Sequence, residues 1–295
     1  MTQRKWLWPA LLTVSLALII AGVALATVVT IPDSDLVSST QYYTDIIGGG
    51  IGPIAVMTGG GNASDVGGAT GQNDDGFDGP INLGFTLNFF GTNYTQFWAN
   101  NNGNISFGNG IAAYTPTGPQ GAAQPIISPF FADVDTRGTG SGVMHVRTDI
   151  ANEVIVTWDA VGYYDAHADK LDSFQLVLRG PGFTIPAGEG QVGFWYKTMQ
   201  WETGDASGGT GGFGGTPAAV GFGDGNTNGY VLQGSIANGI SGIVNNTHIW
   251  FNLVGGVPTP TGSAPTPLPG TIWLITLGIV GLGLTQWLRL RNRRA

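Results

Sequence analysis

Five segments of this sequence alternate apolar and polar residues with a period of two, and this pattern constrains the fold more than any other feature. The segments are Gly84–Phe90, Glu153–Trp158, Ser173–Arg179, Gln191–Trp201 and Thr247–Val254. In the third segment, Phe174, Leu176 and Leu178 share the face that we expect to be buried. Gln175 and Arg179 lie on the other face, which we expect to contact water. Successive side chains of a strand point to opposite faces, so each segment predicts a strand that is buried on one side.

The composition between the strands favours turns over helices. Glycine accounts for 50 of the 295 residues, yet 42% of the residues are hydrophobic, which is more apolar content than a disordered chain contains. Residues 95–99 and 105–107 flank an Asn-rich stretch in which Asn102-Gly103 predicts a type I′ hairpin turn. No segment between the two termini combines a helical period with caps. The sequence therefore predicts an all-β fold of the β-sandwich type.

The first 26 residues differ from the rest of the chain. Arg4 and Lys5 precede an apolar run from Leu7 to Ala26, which ends in the small-residue pattern Ala24-Leu25-Ala26. A basic flank, an apolar core and a small-residue cleavage site are typical of a secretory signal peptide. The run is also long enough to span a bilayer, so the alternative is a retained membrane helix. The position of the cleavage pattern favours the signal peptide.

The C-terminal end predicts a membrane helix. The segment from Ile272 to Leu288 has 17 uncharged residues, with Trp273 and Trp287 near its ends. This is the short end of what can cross a bilayer as a helix, and tryptophan favours the headgroup layer. Four arginines follow: Arg289, Arg291, Arg293 and Arg294. Such a basic cluster stays on the cytoplasmic side by the positive-inside rule.

The segment between the two ends is strongly acidic. It holds all 19 Asp and Glu residues but only five of the 11 Lys and Arg residues. An acidic surface repels nucleic acid and anionic lipid, and attracts cations or basic partners. The chain has no cysteine, which excludes disulfides, thiolate nucleophiles and cysteine-ligated metals, and which favours a bacterial over an animal extracellular source.

Two low-complexity stretches interrupt this acidic segment. Gly204–Gly215 is a Gly/Ser-rich loop that we expect to be a flexible surface excursion. Residues 257–270 are Pro-rich and uncharged, and predict an extended stalk. The predicted organisation is a signal peptide (1–26), an N-terminal part of the exported domain (27–73), a β domain (74–256), the stalk, and a tail (271–295).

Several long motifs in this order resemble the nidogen-like (NIDO) extracellular domain. They are Asp74-Asp75-Gly76, LGFTLNFFGTNY (83–94), FWANNNGNISFG (97–108), PIISPFFADVDTRG (125–138), VTWDAVGYY (156–164), DKLDSFQLVL (169–178) and MQWETGDASGG (199–209). The resemblance implies an extracellular β-rich module that is associated with cell–matrix adhesion and has no enzymatic activity. The EGF-like neighbours of animal members are not found in this chain.

The tail resembles a PEP-CTERM sorting signal. Pro267-Leu268-Pro269 stands where that family has Pro-Glu-Pro, and the apolar helix and the arginine cluster follow in the same order. The resemblance implies processing by an exosortase, after export and removal of the leader by signal peptidase. The mature protein would then reside at the surface, or in the polysaccharide-rich matrix, of a bacterium.

Carboxylates supply the candidate metal ligands. Asp133 and Asp135 are spaced one residue apart after an apolar run, which suits oxygen ligation of calcium, and Asp74, Asp75 and Asp78 form a second acidic cluster. The EF-hand pattern is not present, and these aspartates would also serve as turn caps or as partners of Arg137. The three histidines, His145, His167 and His248, have no zinc-ligand spacing.

Aromatic and acidic side chains near polar loops suggest two further functions. Tyr163, Tyr164 and Trp201 adjoin loops and are candidates for stacking on sugars, as in a carbohydrate-binding module. Glu202 and Asp205 follow Trp201 and are the candidate carboxylates of a glycoside hydrolase, the most distant alternative. The sequence as a whole predicts a non-enzymatic surface or matrix protein that acts in adhesion or structural interaction, with polysaccharide binding as the alternative.

Overall fold

A computed structural model describes residues 27–61, 67–119 and 122–261 of the chain. The predicted signal peptide, the predicted membrane helix at 272–288 and the sorting tail with its Pro267–Pro269 motif lie outside the described residues. Within the described ranges, no helix has the length and apolar character needed to cross a bilayer.

The described residues form two seven-stranded sheets. Sheet A has the order β1 (Val28–Ile31), β12 (Gly229–Leu232), β11 (Ala219–Asp224), β6 (Pro125–Phe131), β5 (Asn104–Ser106), β4 (Thr92–Asn100) and β3 (Phe77–Phe89). Sheet B has the order β14 (Val257–Pro260), β13 (Thr247–Val254), β10 (Val192–Thr198), β9 (His167–Arg179), β8 (Glu153–Tyr163) and β7 (Met144–Arg147), with β2 (Val37–Ser38) also paired to β13. Two short helices, α1 (Tyr43–Ile47) and α2 (Ile240–Val244), complete the described part. This all-β architecture agrees with the predicted β-sandwich.

The main core lies between the two sheets and is rich in aromatic rings. Phe222 of β11 stacks on Phe194 of β10 with ring centroids 5.1 Å apart, and it meets Phe251 of β13 edge-on at 4.8 Å. Phe130 of β6 packs against Phe174 of β9 at 5.7 Å. All five rings are at most 1% exposed. The alternating residues that predicted buried strand faces therefore supply the contacts that hold the sheets together.

The outer face of sheet B is covered, which corrects one prediction. Gln175 and Arg179 were expected to contact water, but each is 0% exposed. Helix α1 lies over them: Tyr43 joins a second apolar cluster on this face, and the amide of Gln175 donates to the hydroxyl of Thr44 at 2.9 Å. The segment before residue 74 thus forms part of the sandwich, since its strand β1 also pairs in parallel with β12.

Two loop predictions differ from the structure. The β4–β5 hairpin has a three-residue loop, since Asn100 pairs with Asn104, and Gly103 alone in this loop has positive φ (74°), which excludes a type I′ turn. The Gly204–Gly215 loop is folded back on the domain: the Glu202 backbone N–H donates to the Gly212 carbonyl at 2.8 Å.

The first residues of the predicted stalk belong to the sheet. Val257–Pro260 forms strand β14, which pairs with β13 and ends sheet B. Proline is tolerated on an edge strand because the missing N–H faces away from the ladder. The remainder of the predicted stalk, residues 262–270, lies outside the described residues.

Candidate functional site

Three buried aspartates converge at one end of the sandwich. Asp74 and Asp75 lie just before β3, and Asp133 follows β6 by two residues. One carboxylate oxygen from each lies within 4.8 Å of the others. The structure thus joins Asp133 from the first predicted cluster with Asp74 and Asp75 from the second. Asp78 stays outside this group and is half-buried at the start of β3.

The β4–β5 hairpin loop holds these segments together. The side-chain amide of Asn102 donates to Asp75 Oδ1 at 2.7 Å, and its Oδ1 accepts from the Val134 backbone N–H at 2.9 Å. Asn101 donates its backbone N–H to the Gly76 carbonyl at 2.8 Å. One polar loop therefore binds both acidic segments, since its amides supply donors and acceptors where the strands end.

Burial shifts the charge equilibrium of this cluster. Asp133 is 1% exposed, and burial raises the pKa of its carboxyl to about 7, with repulsion from Asp75 and Asp74 adding to the rise. The nearby Ser207 backbone N–H opposes the rise in the Asp133 pKa. This N–H donates its hydrogen bond to the Gly204 carbonyl at 3.1 Å. Burial also raises the pKa of Asp75, although the hydrogen bond from Asn102 opposes that rise.

A small cavity lies against the cluster. Its volume is about 100 Å³, and Asp75, Tyr114, Asp133, Tyr164 and Ala206 line it. Tyr114 is 40% exposed and Tyr164 is partly exposed, so these two residues of the lining are accessible to solvent. Two carboxylates therefore meet a space that holds a few water molecules or one hydrated ion.

Asp135 is placed differently from its predicted partner Asp133. Its carboxylate forms a bidentate pair with Arg137, whose Nε and Nη2 lie 2.9 and 2.6 Å from the two oxygens. The Ala166 backbone N–H also donates to Asp135 Oδ2 at 2.8 Å. Arg137 reaches Asp74 Oδ2 at 2.9 Å as well. Asp135 is therefore engaged by donors, and the predicted Asp133–Asp135 ligand pair is not the one that the structure brings together.

The comparisons with known proteins identify the family. The family model described as "NIDO related" matches residues 53–252, about two thirds of the chain. The chain belongs to the NIDO-related family. Alpha-tectorin from Mus musculus and from Homo sapiens is 32% identical over 206 residues, and that from Gallus gallus is 31% identical over 203 residues.

The tectorin similarity covers the domain but little of the tectorins themselves. The alignments span 60% of this chain and 9% of each alpha-tectorin. No solved structure matches the chain. The matched range of the NIDO-related domain contains the three aspartates, the hairpin loop and the cavity, whereas helix α1 and strand β14 lie outside it.

Two of the predicted sugar-stacking residues are part of the core of the NIDO-related domain. Trp201 is 0% exposed and its indole N–H donates to the Val161 carbonyl at 3.0 Å. Tyr163 is 1% exposed and packs against the Trp201 ring at 5.4 Å. A buried ring offers no face to a sugar, so of the three predicted residues Tyr164 alone retains a partly exposed ring.

Glu202, a predicted hydrolase carboxylate, holds the start of helix α2. It is 1% exposed, and its oxygens accept from the backbone N–H of Gly239 and of Ser241 at 2.8 and 3.0 Å, and from the Ser241 hydroxyl at 2.9 Å. Asp205 instead lies at the surface, 3.1 Å from His167 Nε2. Glu202 thus acts as a helix cap whose oxygens are engaged by the protein.

The three histidines of the NIDO-related domain lie on different strands. His145 is on β7 with Nδ1 3.0 Å from the Gly52 carbonyl, and His248 on β13 stacks on Trp195 at 4.1 Å. His167 begins β9. Among the described residues, the only group of acidic or histidine side chains with metal-ligand spacing is Asp74, Asp75 and Asp133.

Sequence reasoning did not find Asn101, Asn102 and Tyr114 as site residues. The run Asn100-Asn101-Asn102 was interpreted only as turn chemistry, although three consecutive amides exceed what a tight turn needs. That excess was an available signal. Tyr114 lies in an irregular stretch after β5 and carries no motif that marks it.

Proposed function

We propose that this chain is an exported surface or matrix protein that works by contact, in adhesion or in structural interaction, and not by catalysis. The NIDO-related domain over residues 53–252 is the observation that carries this proposal. The similarity to alpha-tectorins supports it, since a related domain is found there within much longer chains.

The charge distribution favours a location outside the cell. The acidic segment between the termini keeps an exported protein soluble and disfavours binding to nucleic acid. The N-terminal run Leu7–Ala26 would direct export through signal peptidase. The tail would then hold the protein in the membrane until an exosortase acts at Pro267–Pro269, in a bacterial host.

The cover on sheet B favours a structural role for the domain. Both faces of this sheet are packed, the inner one on sheet A and the outer one on α1. The outer face also carries the buried ion pair of Arg179 on β9 and Glu153 on β8. Such a body has a fixed shape that can present loops at its ends to a partner. The buried Glu202 supports the non-enzymatic proposal, since its oxygens are held by α2.

Binding of extracellular polysaccharide is a second candidate function. Tyr164 and Tyr114 both line one cavity and are both accessible to solvent, and aromatic rings of this kind stack on sugars. This candidate specifies a glycan as the matrix partner and is compatible with the first proposal.

A cosedimentation assay tests contact with the matrix. Purified protein is mixed with washed extracellular matrix from the producing cells, and we expect it to sediment with that material. Prior digestion of the matrix with protease or with polysaccharide-degrading enzymes separates a protein partner from a glycan partner. Retention of the protein in the supernatant under all conditions would contradict the proposal. Tyr164→Ala tests the glycan candidate, with Tyr94→Ala as a control remote from the cavity.

A further inference from the structure

The loops around the cavity bury more negative charge than they neutralise. Asp74, Asp75, Asp133 and Asp135 are each at most 7% exposed. Arg137 forms ion pairs with Asp74 and Asp135, and no ion pair within the described residues reaches Asp75 or Asp133. A buried carboxylate without a positive partner is unfavourable, so this end of the domain favours a cation.

The Asp133 carboxylate gives independent evidence for a ligand. Neither of its oxygens accepts a hydrogen bond from the described residues, although the side chain is 1% exposed. Buried polar atoms in proteins nearly always have a partner. Gly204 packs closely on one side, since a Cβ there would lie 2.5 Å from Asp133 Oδ2. Asp133 also lines the cavity, together with Asp75.

We propose that Asp74, Asp75 and Asp133 bind one divalent cation of the hard, oxygen-preferring class, with Ca²⁺ as the best match. Calcium lies about 2.3–2.6 Å from each ligand oxygen, so ligands around one ion are at most about 5 Å apart. The three carboxylate oxygens lie within 4.8 Å of one another, which meets this requirement.

The remaining features of the site also match calcium. No histidine contributes to the group, and oxygen-only ligands disfavour zinc. The adjacent cavity of about 100 Å³ has room for water ligands, which complete the six to eight oxygens that calcium takes. The bound ion ties the segment before β3 to the segment after β6, and it does so whether or not the domain contacts a matrix.

Calcium titration of the purified chain tests this site. Protein is stripped with EDTA, and binding is followed by calorimetry and by thermal unfolding. We expect the midpoint to rise by roughly 5–10 °C when free calcium is 100 times the dissociation constant. Asp133→Asn is expected to lose this shift, because it removes the charge of the central ligand. Asp172→Asn is the matched control: Asp172 is equally buried and has an oxygen without a partner, but it lies outside the cluster.

Terbium luminescence of the parent protein provides a direct readout of ion binding that does not require Asp133→Asn to fold. We expect terbium to bind in place of calcium, with luminescence sensitised by Tyr164 and Tyr114 and reduced in Tyr164→Phe. If Asp133→Asn does not fold, Asp75→Asn takes its place. The proposal is overturned if the parent protein shows no calcium heat, no midpoint shift and no terbium signal at millimolar ion. It is also overturned if the aspartate variants respond to calcium as the parent does.

Discussion

The cost of removing Arg179 tests the covered face of sheet B. The guanidinium is fully buried: its Nε donates to Glu153 Oε2 at 2.7 Å and its Nη1 to the Gly190 carbonyl at 3.0 Å. The group also lies over the Trp250 ring at 4.3 Å. Arg179→Met keeps most of the volume of the side chain but removes the charge and all of the donors.

The expected loss follows mainly from Glu153, the more buried of the two carboxylates that pair with Arg179; the other, Glu189, is 24% exposed. Glu153 is 2% exposed, and burial raises the pKa of its carboxyl, although Arg179 opposes that rise. Removal of one partner of a buried ion pair costs about 3–5 kcal/mol, because the other charge stays buried without compensation. Replacement of both partners is far less costly, so Arg179→Met with Glu153→Gln should recover most of that loss in the free energy of unfolding.

Urea unfolding followed by tryptophan fluorescence measures these values, with linear extrapolation to water. Lys197→Met is the control, since Lys197 pairs with Asp45 at 3.3 Å near the surface, where a pair contributes at most about 1 kcal/mol. The reasoning is refuted if Arg179→Met costs less than about 1 kcal/mol. It is also refuted if the double variant is no more stable than Arg179→Met alone.

Three further substitutions test the buried polar groups and the hairpin. Burial raises the pKa of Asp172 well above its ordinary value. The unfolded chain therefore releases this proton at a lower pH than the folded chain, and the free energy of unfolding falls as the pH rises above the ordinary carboxyl range. Asp172→Asn should therefore be more stable than the parent at pH 7, and the gain should vanish in acid. Glu202→Gln should lose about 1–3 kcal/mol, because the Gln amide has only one acceptor oxygen and its NH2 group would face either the Gly239 N–H or the two Ser241 donors. Gly103→Ala should lose more than about 2 kcal/mol, since φ is 74° and a Cβ would overlap the Phe130 carbonyl.

Matched variants separate these causes. Gly84 has φ 75° with nothing near a Cβ, so Gly84→Ala isolates the backbone cost, and equal losses at both glycines would contradict the proposed overlap. Ser241→Ala removes only one of the three hydrogen bonds that Glu202 accepts and keeps both backbone donors, so a larger loss for Ser241→Ala than for Glu202→Gln would contradict the capping role of Glu202. For Asp172→Asn, thermal unfolding from pH 7 to pH 3 is the measurement, and a stability difference that is independent of pH would contradict the assigned charge effect.

Strand faces that pack between the sheets could be predicted from sequence. The residues of β13 are those that alternation predicts, and the inner face of β9 holds Phe174, Leu176 and Leu178. The outer face of β9 could not be predicted, because Gln175 and Arg179 are polar in sequence and their cover is a helix of five residues. A helix of that length has too few turns to show a hydrophobic period.

The site was predictable as residue types but not as a set. Asp74, Asp75 and Asp133 were each recognisable as candidate metal ligands. Asp133 is nevertheless about 60 residues from the other two along the chain, and the three meet only when β3 and β6 are placed in one sheet. Asp135 was separated from Asp133 because Arg137 binds it. Trp201 was predicted to be accessible to a sugar because it adjoins a glycine-rich loop. It is buried because this loop folds back over it, with Gly212 close to the Trp201 Cβ.

Intact mass, measured on protein fractionated from the producing cells, tests most directly whether this NIDO-related protein is exported to a surface or matrix. The account predicts protein in the medium or the matrix, without about the first 26 residues and without the tail beyond Pro267–Pro269. A full-length chain in the cytosol would contradict export and with it the proposed function. A processed N-terminus with an intact tail in the membrane fraction would leave the surface location in place and contradict the sorting signal.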